Sequence, residues 1–234
     1  MLQIFVLQVH QSILSKSSTI SANNDTIEAH LSLISFEVKR RLKDYKAQLD
    51  IIRHCSTLPG FHPKYFFSMG STAYNNEASE KNQSNNDNYE VAMAAFDAGL
   101  NITLSSPLPD YGLVSATIRT LINLGDSKQR DGPKVMSFYR QAHQILLGLG
   151  ADVYPKEEIQ WLISTAWNRG SLHARFSRFT MAEKWMNLAL DMLKHIAPAM
   201  EAYRPLMMEN LSLVLKGKAD EPSPMDEWAN RLIY

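Results

Sequence analysis

Histidine, cysteine and paired carboxylates are where this chain would have to build acid–base, metal or nucleophilic chemistry. Its histidines stand at 10, 30, 54, 62, 143, 173 and 195, and none belongs to a His-Glu-x-x-His pair that would set two imidazoles one helical turn apart. Cys55 is alone, so no disulfide within the chain and no zinc knuckle can be assembled. It falls in an apolar helical stripe, where an inert buried thiol is expected. Glu157 and Glu158 follow Pro155 at a helix start, where two acids complement the positive end of the helix dipole; that is capping rather than an acid–base pair. Gly148-Leu149-Gly150 is not followed by Gly-Lys-Ser/Thr, so it is no phosphate loop. The expectation is a non-enzymatic protein with no catalytic residue, cofactor, metal site or small-molecule substrate.

Bulk composition narrows the partners. Lys plus Arg equals Asp plus Glu at 24 each, so the basic excess needed to neutralise nucleic-acid phosphates is missing and no direct nucleic-acid contact is expected. No stretch approaches the roughly 20 apolar residues of a bilayer-spanning helix, and the apolar opening Met1 to Leu7 lacks the basic start of a signal peptide. A soluble protein of a reducing nuclear or cytosolic compartment fits. The glycosylation-type triplets at Asn24, Asn82, Asn101 and Asn210 read as chance.

The elements that must position any site are helices. Apolar residues recur at three and four, as in Ile27, Leu31, Ile34 and Val38, and no segment alternates in the manner of a strand. Breakers at Pro59-Gly60, Pro107 to Gly112, Gly125 to Pro133 and Gly148 to Pro155 predict helices over 2–16, 24–41, 45–57, 62–75, 88–103, 111–124, 132–147, 156–176, 180–195, 200–215 and 224–232. Short connections make neighbours antiparallel. The predicted organisation is a helical array over 1–215 with a polar, flexible insertion at 76–87, a linker over 216–223 and a short terminal helix over 224–234.

A repeat is visible in this array. Ile163 to Lys194 sets Gly170 at the close approach of one helix, then Phe179, Ala182, Met186, Ala189 and Leu190 along the next. Phe66, Met69 and Gly70, followed by Tyr89, Ala92, Phe96, Gly99 and Leu100, form a second copy split by the insertion. Weaker copies begin at Tyr45 and at Val135. Small residues at a crossing with large ones in the groove between hairpins is the tetratricopeptide pattern, so the fold expected is all-α, antiparallel hairpins stacked as a tetratricopeptide-like solenoid. The generic alternative is a helical bundle. Trp161, Trp167 and Trp185 are expected mainly in the core, and any that projects would be a binding anchor. The first predicted helix starts without a cap, which suits the carboxy-terminal part of a longer solenoid.

The strings EEIQWLISTAWNR (157–169), EKWMNLALDMLKH and MEAYRPLMME, with Ser105 to Gly112 and Tyr139 to His143, resemble the meiotic Zip-four/Spo-twenty-two tetratricopeptide proteins in a plant-like version, over roughly residues 60 to 215. That resemblance implies a nuclear, chromosome-associated scaffold that promotes interfering crossovers and synaptonemal complex assembly by holding protein partners together. It also implies that Trp167 and Asn168 match an aromatic–asparagine pair that recruits a central-element protein. The family's proteins are far longer, and the insertion departs from their compact repeats. A competing expectation is a general tetratricopeptide adaptor or co-chaperone-type peptide binder. Its carboxylate clamp needs converging cations, yet helix 62–75 offers Lys64 and helix 111–124 offers Arg119.

Overall fold

Residue spacing of three and four closes into helices wherever a capping group or a proline lets the chain turn in. The computed structural model describes residues 21–58, 60–75, 85–128, 132–150, 152–196 and 200–219. These residues form α1 (Ser21–Arg41), α2 (Tyr45–Thr57), α3 (Pro63–Asn75), α4 (Asn85–Leu104), α5 (Tyr111–Lys128), α6 (Pro133–Leu147), α7 (Lys156–Arg175), α8 (Phe179–Leu193), a 3-10 turn (Glu201–Tyr203) and α9 (Arg204–Ala219). No strand occurs among them. Asp44 caps α2 by accepting the Ala47 amide at 3.1 Å, and Pro133 opens α6 at a position where no amide is needed.

The helices pack as sequential pairs: α1 on α2, α3 on α4, α7 on α8, with α9 laid against α8. Further contacts join α1 to α3, α2 to α4 and α6 to α8. The contacts gather into two compact units, Met1–Leu124 and Gly125–Tyr234.

Two of the hairpin turns have the same construction. Arg41-Leu42-Lys43-Asp44-Tyr45 joins α1 to α2, and Arg175-Phe176-Ser177-Arg178-Phe179 joins α7 to α8. The middle residue is left-handed in both, Lys43 at φ 55 and Ser177 at φ 54. In each turn the next amide reaches back five residues at 2.9 Å, Asp44 to the Lys39 carbonyl and Arg178 to the His173 carbonyl. This is the helix-ending bond that satisfies a carbonyl left over in the last turn, and it does so here without the usual glycine.

Glycines set the helix crossings. A Cβ on Gly170 of α7 would meet Met186 Cγ at 2.6 Å and, at 3.1 and 3.2 Å, the Ala182 carbonyl and Met186 amide of α8. In the first unit the crossing is reciprocal: a Cβ on Gly70 would strike the Phe96 ring at 2.9 Å, and one on Gly99 the Phe67 ring at 2.8 Å. Ala92, Ala182 and Ala189 are fully buried, and Phe96 and Met186 nearly so. Phe179 is half-buried, its ring against Gly217.

Two glycines expected to break helices lie inside them. α5 continues through Gly125 to Lys128, and α9 through Gly217 to Ala219, so 216–219 of the expected linker are helical. A Cβ at Gly125 would meet Val135 at 2.9 Å, and one at Gly217 the Phe179 ring at 2.7 Å; close packing, rather than chain reversal, accounts for the small residue at both. α4 begins at Asn85, inside the expected insertion, and Asn88 is buried. The rest of that insertion and the helices expected over 2–16 and 224–232 lie outside the described residues.

Candidate functional site

α7 presents three faces. Ile159, Leu162, Ile163, Ala166, Gly170 and His173 are buried and share one helical stripe. On a second face, Trp161, Thr165 and Arg169 recur at intervals of four and meet residues far off in the chain. The Tyr139 hydroxyl donates to Thr165 Oγ1 at 2.7 Å, and Thr165 in turn donates to the Trp161 carbonyl at 2.6 Å. Arg169 Nη1 donates to Asp126 at 3.0 Å and Nη2 closes a second bond to the same carboxylate. The guanidinium lies 5.4 Å from the Tyr139 ring centroid and 5.3 Å from that of Trp185, and those two rings meet edge to face at 5.1 Å. A planar cation on two aromatic faces with a forked carboxylate partner ties Asp126, in the last turn of α5, to α6, α7 and α8 within the second unit. Burial pushes the Tyr139 hydroxyl above its ordinary pKa, so it stays a donor at neutral pH.

The third face is open. Gln160, Ser164 and Asn168 form an exposed polar row beside the half-buried Trp167, with the buried Ile163 at the floor. Opposite stand Met200, just before the 3-10 turn, Tyr203 at its end, and Leu206, the buried Met207 and Asn210 from the first half of α9. Between them is a groove of about 520 Å³. Tyr203 and Leu206 are each 58% exposed at its edge, an apolar surface left uncovered among the described residues. None of the lining side chains is acidic, basic or a histidine. The arrangement can bind apolar and amide groups; it offers no nucleophile with a base in reach.

Trp167 and Asn168, the pair singled out in the sequence, thus lie together on this groove, while the fully buried Trp185 and the half-buried Trp161 both pack against Tyr139. The contribution of Tyr203, Leu206 and Asn210 was not anticipated. Their signal was a helix whose apolar residues spread around more than one side, Leu206 and Leu213 on one flank, Met208 and Leu215 on the other, each at least 42% exposed. The link from Asp126 to Arg169 was equally hidden, since 43 residues separate its ends. Cys55 is buried and its thiol is pushed above the ordinary range by burial, the direction that keeps it protonated. No family model matches this chain, and no solved structure matches it.

Proposed function

We propose that this chain is a non-enzymatic protein-interaction scaffold of tetratricopeptide-like hairpins, and that a partner protein binds the groove between α7 and α9 through Trp167 and Asn168. The observation that carries the reading is the shared position of those two residues on an open, uncharged groove beside a tight hairpin. The matching turns at Lys43 and Ser177 and the glycine-set crossings support repeated hairpins of one kind. With the sequence resemblance, the same site supports a role as a nuclear, chromosome-associated scaffold in meiotic recombination, one that promotes interfering crossovers and synaptonemal complex assembly. Its partners in this reading are crossover and synaptonemal proteins, with no cofactor, membrane or direct nucleic-acid contact. A general adaptor that clamps an acidic carboxylate is less favoured, because the groove's lining carries no cation.

The test is the double substitution Trp167→Ala with Asn168→Ala, read by melting temperature and by pull-down of synaptonemal central-element proteins. An anchoring Trp is worth about 2 kcal/mol or more of binding, so affinity is expected to fall at least roughly thirtyfold while the melt holds. Truncating a core Trp would instead cost about 3–5 kcal/mol of stability. A variant that melts as the parent does and still binds every partner removes the site, and one that unfolds returns Trp167 to the core.

A further inference from the structure

The α7–α9 groove has a pattern that specifies the form of its ligand. Gln160, Ser164 and Asn168 follow one another at intervals of four, a polar row about 12 Å long at the helical rise. The half-buried Trp167 stands beside it as the apolar surface, over the buried Ile163, and Asn210 brings a third amide from α9. A side-chain amide donates and accepts at once, which suits a backbone whose N–H and C=O groups are both open. A helical ligand has already used those groups internally, whereas an extended one has them free and turns alternate side chains to one face. At about 3.3 Å per residue, 12 Å spans about four extended residues.

Charge decides the rest. The nearest guanidinium on α7 is committed, since Arg169 is turned away onto Asp126, and Arg204, the neighbour of Tyr203, is paired with Glu201. A carboxylate or ammonium entering the groove would give up water and find no opposite charge in the lining. We propose that the groove holds an uncharged, extended segment of about four residues from a partner protein. Its backbone is bonded by Gln160, Asn168 and Asn210, and its alternate apolar side chains sit against Trp167 and Leu206.

The proposal rests on the reading of Trp167 and Asn168 as a partner site, so its test separates the two. A display library of random heptapeptides is panned on the whole protein, and the enriched peptides are synthesised with a fluorophore. Their binding is measured by anisotropy at about 50 and about 500 mM salt, a range over which exposed ion pairs are strongly screened. The expected peptides carry about four consecutive uncharged residues, change affinity less than about twofold with salt, and lose about tenfold on N-methylation of a backbone amide in that stretch. Replacing Gln160→Ala and Asn210→Ala together, which removes no buried apolar group, is expected to cost about tenfold in affinity with the melt unchanged. Peptides that need Trp167 and Asn168 but carry charges in the contacted stretch, lose affinity steeply with salt, or tolerate backbone methylation leave the site standing and overturn this ligand class. Retention of full affinity by the Gln160→Ala, Asn210→Ala variant does the same. A library with no binder sensitive to Trp167→Ala and Asn168→Ala removes the site and this proposal together.

Discussion

Gly170→Ala is the smallest change that tests how the second unit is held. In an exposed helix the substitution favours the helix by up to about 1 kcal/mol, so helix propensity alone predicts a more stable protein. The new methyl, however, would stand 2.6 Å from Met186 Cγ, 3.1 Å from the Ala182 carbonyl oxygen and 3.2 Å from the Met186 amide nitrogen. The methionine can turn aside; the two backbone atoms belong to α8 and cannot, so the pair must splay. Overpacking of this kind costs roughly 1–3 kcal/mol, which leaves a net loss of about 0–2 kcal/mol after the propensity gain, toward the upper end here because two of the three contacts are to backbone. For a unit of this size that lowers the melting temperature by on the order of 5 °C. The control is Gly148→Ala, where the nearest atom to the new methyl lies at 3.6 Å and no strain is expected. Melts followed by circular dichroism at the helix band give the comparison. In a Met186→Ala background the penalty of Gly170→Ala is expected to shrink but persist, because the backbone contacts remain. A Gly170→Ala protein that melts at or above the parent would refute the close crossing.

Three other outcomes follow from particular contacts. Ser177→Gly and Lys43→Gly each relieve a left-handed residue with a Cβ, and each is expected to stabilise by about 1 kcal/mol in urea titration; a loss of stability at both would refute the turn geometry. Arg169→Ala strands the Asp126 carboxylate and uncovers the Tyr139 and Trp185 rings, with an expected cost of roughly 1–3 kcal/mol and a changed Trp fluorescence, and an unaltered urea midpoint would count against the network. Cys55 is expected to resist a thiol reagent in the native protein and to react at once in urea, since burial both hides the thiol and raises its pKa; prompt native labelling would contradict the burial.

What the sequence by itself determined is the helical character and the places where hairpins cross tightly. Periodicity of three and four needs no knowledge of the partner, and a glycine or alanine where an apolar stripe has to meet another helix reports the crossing directly: Gly70 with Phe96, Gly170 with Ala182 and Met186. Helix ends were less legible, because Gly125 and Gly217 carry the same letter as a chain-breaking glycine while serving a packing contact with Val135 or Phe179. Only the tertiary structure decided which face of α7 stays open. Trp161 and Trp167 stand six residues apart on one helix with similar chemistry, and nothing local separates the one stacked on Tyr139 from the one lining the groove. That choice depends on where α6 and α9 lie, and their positions are set by side chains 22 or more residues away in sequence, beyond the reach of any local pattern.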